Sequence, residues 1–341
     1  MSPLQGWPRA IARPMQTLAR NRKPFPRPLG RAGKRFYAGT FRMDFEKQRW
    51  RRAAALQGGL AALHSALLLC VLAAPAWART CHYTWWSDNP APYLDAIRKA
   101  SPSTPPKLAP GERIRAGIVT HHFLASALMV RFFAALRAES APETIILIGP
   151  NHFHHGSANI SFSSLPWKTP FGQIEADEAA VHELHSATHL PEDREAFTGE
   201  HSAGVLIAFL KYYFPRCRVV PILVDVNARE TQLRELRPVL VQYLVNPQVL
   251  VLLSMDFSHD AAASVADASD EQARQALLAL DAGKAKDLSV DCPRGLWLLL
   301  AALDGLGRVR TQISEHTNSA RLTGNLRQPD VTSYFTAYFI R

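Results

Sequence analysis

At 341 residues and 47% hydrophobic composition, the chain is long enough to bury one large core or two smaller ones, which sets aside fibrous and low-complexity classes. Its formal charge of +10 is local: residues 1–52 hold 14 Lys/Arg against Asp44 and Glu46, whereas residues 79–341 hold 25 basic and 27 acidic side chains. The basicity belongs to a leader, and a nucleic-acid-binding body loses its main support.

Behind the basic region runs an uncharged stretch from Ala53 to Ala78 that ends in Ala76-Trp77-Ala78 before Arg79. A basic segment, an apolar run and a small-x-small site make the pattern of a secretory signal. Residues 1–78 are therefore read as a leader with a signal peptide, with the true start at Met43, and the protein as exported to the periplasm or the cell exterior. Arg51-Arg52 match a twin-arginine signal poorly. The alternative of an uncleaved membrane anchor is disfavoured by His64 and by an apolar core shorter than about 18 residues. Cys70 lies in the leader; in an oxidising compartment Cys81 and Cys217 could pair, which leaves Cys292 alone.

Residues 79–112 are rich in Pro and Ser and read as an extended lead-in. The α/β domain then covers 113–341. Apolar runs of strand length at Ile114–Val119, Thr144–Ile148, Arg218–Val224 and Val249–Ser254 alternate with helical patterns at Phe123–Glu139, Ala176–His189, Ser202–Phe214 and Arg229–Leu244. Helical patterns around Asp267–Leu280 and Pro293–Leu303, a strand near Arg308–Ile313 and the terminal SYFTAYFI complete the chain. Such alternation predicts a single α/β domain with a mainly parallel central sheet flanked by helices.

In sheets of this kind, ligands sit beyond the carboxyl ends of the strands. Three of the strands end in histidine: Thr120-His121-His122, Pro150-Asn151-His152 and Met255-Asp256-Phe257-Ser258-His259. Imidazole is the commonest nitrogen ligand for zinc, iron and copper, so recurrence at three strand ends points to a metal centre rather than to isolated capping histidines. His154 and His155 read as ordinary loop residues. Glu200 and His201 fall in the first turn of a helix, where Glu200 suits the dipole. Cys292 precedes Pro293 at another helix start, a position for a soft ligand, a nucleophile or a plain buried thiol.

Taken together, AGIVTHHFLAS, ILIGPNHF, TPFG followed by Asp177, EHSAGVLIAFL, VVPILV, LLSMDFSHD, DCPRG and SYFTAYF resemble the Memo family, whose bacterial branch is called AmmeMemoRadiSam system protein B. They run in family order over residues 113–340. The family resembles class III extradiol dioxygenases in fold. The resemblance implies metal ligation by His121, His152 and Cys292, with His259 in the acid/base position, Asp256 as a further site residue and His201 lining the pocket. Thr120 stands where the family commonly has proline. A cysteine in place of the dioxygenase carboxylate softens the site towards copper(I) or thiolate-bound iron.

The expectation is an exported metalloprotein that uses iron or copper, with zinc less favoured, for oxygen- or redox-linked chemistry. His259 would be the acid/base, with Asp256 and His201 as further catalytic-site residues. The expected partners are a small phenolic substrate or a peptide, and a radical SAM protein. A non-catalytic metal- or peptide-binding scaffold and a zinc hydrolase using Glu200 or Asp256 as base are the alternatives.

Overall fold

The computed structural model describes residues 81–341, so the leader with its signal-like run, Met43, Arg51-Arg52, His64 and Cys70 lies outside the described residues. In chain order the elements are β1 (His82–Tyr83), α1 (Ala91–Lys99), β2 (Ile114–Val119), α2 (Ser126–Glu139), β3 (Thr144–Pro150), β4 (Ile160–Phe162), β5 (Trp167–Thr169), β6 (Gly172–Ile174) and α3 (Glu178–Thr188). They continue with α4 (His201–Tyr213), β7 (Arg218–Val224), α5 (Glu230–Val245), β8 (Val249–Ser254), α6 (Ala263–Ala279), α7 (Pro293–Asp304), β9 (Arg310–Asn318), α8 (Ser319–Thr323) and β10 (Ser333–Ile340).

The main sheet has seven strands in the order β4-β7-β3-β8-β2-β10-β9. Its centre, β7-β3-β8-β2, is parallel, as the alternation of elements predicts. Both margins are antiparallel: β4 on β7, and β10 on β2 with β9 outside it. A short second sheet, β1-β5-β6, carries the start of the described chain.

The central strands read as continuous apolar runs because both of their faces are covered. Ile146, Ile148, Val220, Ile222, Val251 and Leu253 point to one side, with Leu184 of α3, Leu240 of α5 and Leu299 of α7. Their neighbours Ile145, Leu147, Val219, Leu223, Leu250 and Leu252 point to the other, with Tyr93 of α1, Phe133 of α2 and Phe209 of α4. The period of two along each strand thus feeds two cores.

The lead-in is more structured than its Pro and Ser content suggests. Pro90 starts α1 well because its fixed φ suits a helix start, and Tyr93 of that helix is fully buried, with its hydroxyl donating to the Trp85 carbonyl at 3.1 Å. β9 runs to Asn318, beyond the predicted Ile313, because its whole length pairs with β10. The thiols of Cys81, Cys217 and Cys292 are free. Among the described residues, no helix is long and apolar enough to cross a membrane.

On β2, Gly117 lets α2 approach closely. A Cβ there would lie 2.6 Å from Phe132 Cζ and 3.2 Å from the Ala337 carbonyl oxygen. The Phe132 ring is pinned on its other side by Tyr338, stacked at 4.8 Å and 5°. Gly117→Ala is therefore expected to cost about 1–3 kcal/mol through overpacking, read as a lower urea midpoint with an unchanged m-value.

Candidate metal centre

The strand order places the loops after β2, β8 and β3 next to one another, although about 100 residues of chain separate the β3 and β8 loops. Each loop delivers side chains to the carboxyl end of the sheet. His121 follows β2, His152 follows β3, Asp256 follows β8, and the N-terminus of α4 adds His201. His121, His152 and His201 each offer a ligand atom within 4.8 Å of the others, and His121, Asp256 and Asp291 do the same. The His152 and His201 rings stack at 4.2 Å and 23°, and His121 meets both rings edge-on at 5.1 and 5.2 Å.

Each of the first two imidazoles is held from behind. Ser254 Oγ donates to the Ser202 carbonyl at 2.6 Å, so it must accept from His121 Nδ1 at 2.9 Å. Glu200 accepts from His152 Nδ1 at 2.9 Å and from the His152 backbone amide at 2.8 Å. It also caps α4 by accepting from Ser202 N at 2.9 Å, and it is only 1% exposed. Both histidines therefore carry hydrogen on Nδ1 and turn Nε2 the other way. Orienting bonds of this kind stand behind most metal-ligating histidines.

On the Nε2 side stands Asp291, whose Oδ2 lies 3.2 Å from His121 Nε2 and 3.5 Å from His152 Nε2. Asp256 N donates to both Asp291 oxygens at 3.1 and 3.2 Å, and Asp291 N returns a bond to the Asp256 carbonyl at 3.2 Å. The Asp256 carboxylate accepts from Thr120 Oγ1 and, at 3.2 Å, from His121 N; its other oxygen is 3.7 Å from His121 Nε2. Thr120 thus supplies a hydroxyl that ties the β2 loop to the β8 loop.

The electrostatics follow from this packing. Burial works against charge on His121, but the Asp256 and Asp291 carboxylates outweigh it and hold its pKa above the usual value. Burial likewise opposes charge on His152, and the bonds to Asp291 and Glu200 overcome it, lifting the pKa to about 10. Burial opposes charge on Glu200 most, but the bond to His152, the charge of that ring and the Ser202 amide together bring its pKa to about 2, and Asp291 is held low against burial by His121 and His152 in the same way. His201 goes the other way, to about 3, through burial and then the charges of His121 and His152. Its buried Nδ1 has no hydrogen-bond partner, with the nearest Glu200 oxygen 3.5 Å away.

The structure brings His121, His152, His201 and Asp256 together and leaves two other expected residues outside that group. Cys292 caps α7 as a buried thiol within the apolar core, its pKa pushed well up by burial and then by the Asp291 charge. His259 is exposed beyond Ser258, and its charge is felt at His122, which accepts from or donates to the Tyr334 hydroxyl at 2.7 Å. His154 pairs with Asp225 at 2.5 Å, and His155 Nδ1 donates to the Thr198 carbonyl at 3.2 Å, both outside the group as expected. Sequence reasoning missed Asp291, although it adjoins Cys292, and missed the supporting roles of Ser254 and Glu200. It also missed the wall: Trp85 and Phe153 flank His201 at ring-centroid distances of 5.5 and 5.8 Å.

With the pKa of His152 raised from 6.5 to about 10 in the folded, metal-free chain, its bound proton stabilises the fold fully below pH 6.5, and that stability is lost as pH rises towards 10. The stability gap between metal-free wild type and His152→Gln should therefore be widest near pH 6 and shrink steadily up to pH 10, as read from urea midpoints. A gap that widens with pH would show that the proton is not held there.

The Memo-like protein family model matches residues 83–338. A MEMO1 family protein of Pyrobaculum aerophilum is 28% identical over 247 residues, covering 69% of this chain and 86% of that protein. Another MEMO1 family protein, from Pyrobaculum arsenaticum, is 32% identical over 233 residues, covering 64% and 81% respectively. The crystal structure of an uncharacterized protein from Escherichia coli K12 compares at a TM-score of 0.42 and 13% identity over 64% of this chain and 98% of that one. With most of its length, and every histidine-bearing strand end, inside the family model, the chain belongs to the Memo-like protein family.

Proposed function

We propose that this Memo-like chain is a metal-binding protein with an iron- or copper-dependent redox activity on a small phenolic molecule. The observation that carries the reading is the convergence of three imidazoles within 4.8 Å at the carboxyl end of a parallel sheet. The donor chemistry fits a cation. His121 and His152 are oriented from behind, carboxylates keep positive charge favourable at their edges, and His201 has a buried nitrogen without a partner. A bound iron or copper ion would supply one-electron and Lewis-acid chemistry.

The chain's own residues would do the rest. Trp85 and Phe153 stand beside His201 and offer flat apolar surfaces suited to an aromatic ring. His201 stays neutral at physiological pH, held low by burial and by the neighbouring imidazoles, so it would offer a hydrogen-bond acceptor to a phenolic hydroxyl rather than take its proton. His259, exposed and within electrostatic reach of His122, would serve as an outer acid/base. The hydrolase alternative needs a free carboxylate base, and both candidates are engaged: Glu200 with His152 and Ser202, Asp256 with Thr120 and the His121 amide.

Metal analysis by mass spectrometry should find iron or copper at close to one equivalent per chain, lost in His152→Ala. Zinc alone, or no metal, would overturn the redox reading. Glu200→Gln should weaken binding of added metal by about 10–100-fold, because the orienting carboxylate is gone while the ligands remain. Oxygen uptake with catechol should fall by about 10-fold in His201→Ala at full metal loading, the scale of a lost hydrogen bond that positions the phenol. Rates that survive that change would leave a binding scaffold as the better description.

A further inference from the structure

We propose that Arg113, Arg115 and Arg341 form a binding site for a phosphate-bearing anion at the amino end of β2, the opposite end of that strand from the histidine cluster. Arg113 and Arg341 exchange backbone hydrogen bonds at 2.8 and 3.0 Å just beyond the paired ends of β2 and β10. Residues that exchange both bonds stand directly opposite each other, with Cα atoms about 5.5 Å apart and side chains on one face. Like charges in that position repel and weaken the pairing. Arg115 lies two residues further along β2, which gathers three guanidiniums at one margin of the sheet. The length of β2, six residues and about 20 Å, separates them from His121, so the site does not depend on the metal reading.

Arg115 is placed by an irregularity in the pairing. Phe339 pairs with Ala116 and Ile340 with Ile114, so Arg115 is an extra residue with no partner on β10, and the register with β8 begins only at Ala116. A bulge of this kind re-aims the side chain that it carries. Here the side chain is half-buried, and its Nε is buried without a hydrogen-bond partner among the described residues. Burial, and then the charges of Arg113 and Arg341, pull the Arg115 pKa below its usual value. A buried donor without an acceptor costs free energy, so this one calls for a partner from outside the chain.

Among the described residues no acid answers these charges. The charges that act on Arg115 are those of the other two arginines. Glu112, next to Arg113 in the chain, is already engaged: it accepts from Arg310 at 2.9 and 2.6 Å and from the Ala109 amide at 2.8 Å. The class of ligand follows from the donors. A guanidinium presents its N–H groups in a planar fork that meets carboxylate or phosphate oxygens two at a time. A monocarboxylate brings one charge and two oxygens, enough for a single fork. A phosphate ester brings close to two charges and three acceptor oxygens, which suits three forks at one margin. That chemistry is shared by a soluble phosphate ester and by a phospholipid headgroup.

Inorganic phosphate is the probe. The full-length protein is titrated calorimetrically at about pH 8, where the dianion dominates, beside Arg113→Gln, Arg115→Gln and Arg341→Gln. The expected result is one phosphate per chain, bound about 10-fold more weakly in each variant and not displaced by acetate. No uptake, or uptake unchanged in the three variants, would overturn the site. Arg113 and Arg341 are exposed, so their variants decide the point if Arg115→Gln fails to fold. Stability gives a second readout, in which the sign reverses. In chloride, Arg341→Gln should match or exceed the wild-type urea midpoint because a like charge is gone; in phosphate it should fall below, because the wild type gains more from the ligand. The same order of midpoints in both buffers would also overturn the proposal. Pelleting with vesicles of phosphatidic acid in phosphatidylcholine at about 0.15 M salt, lost in Arg115→Gln, would identify the phosphate as a lipid headgroup. Phosphate binding without pelleting would identify a soluble ester, and either result upholds the site.

Discussion

A carboxylate or imidazole taken out of water must meet an opposite charge or a fixed hydrogen bond, and at the carboxyl end of this sheet six such groups are packed together. Asp256, Asp291 and Glu200 face His121, His152 and His201, and five of the six have firm polar partners. The exception, His201, is the one whose pKa falls, through burial first and then the charges of His121 and His152, which together outweigh Glu200 and Asp291. Its close stacking on His152 at 4.2 Å is tolerable only because one of the two rings is neutral. Removing any one carboxylate would leave a buried cation uncompensated, so the cluster holds its members by mutual need rather than by any single strong bond.

The fold makes that packing available. Chain order and spatial order differ, since β8 lies between β2 and β3, and this interleaving is what sets the three loops side by side. Small residues then let the helices close in. A Cβ on Gly149 would come within 2.9 Å of Ser202 Oγ, so the glycine at the end of β3 allows α4 to start directly over the strand. Ser202 uses that proximity to donate to the Pro150 carbonyl at 2.8 Å, which sets Glu200 and His201 beside His152. Gly295 does the same for α7, which brings Asp291 and the β8 loop into contact.

Much of this was legible in the sequence because it follows from period and position. Apolar runs with both faces buried, separated by helical patterns, imply a parallel sheet, and histidines directly after such runs must collect at one end of it. The antiparallel margins were not legible, because β4 is three residues long and β10 reads as one more apolar run. Nor were the partners of the histidines. Ser254 is simply the last residue of a strand until its Oγ is seen 2.9 Å from His121. Asp291 lay beside a cysteine that drew attention for its chemistry, and which of the two faces the imidazoles depends on one backbone step at the start of α7. Trp85 carries no signal in a Pro- and Ser-rich lead-in, because its place beside His201 is set by β1 joining β5 and by α1 packing on the core.

The helix starts at this end of the sheet pose a further problem for a cation site, and the sequence around them resolves it. A helix N-terminus carries about half a positive charge and ordinarily favours anions, which is why phosphates so often bind at such places. Here α4 and α7 both begin at the cluster. Each is preceded by an acid: Glu200 caps α4 directly, and Asp291 stands just before the Cys292 cap of α7. With those carboxylates interposed, the helix ends are answered by full negative charges, and Asp256 adds another from β8. The imidazole edges therefore look onto acidic groups rather than onto bare amides. A fold whose strand ends usually attract anions is thereby turned, by two acids at two helix starts, into one that favours a positive charge.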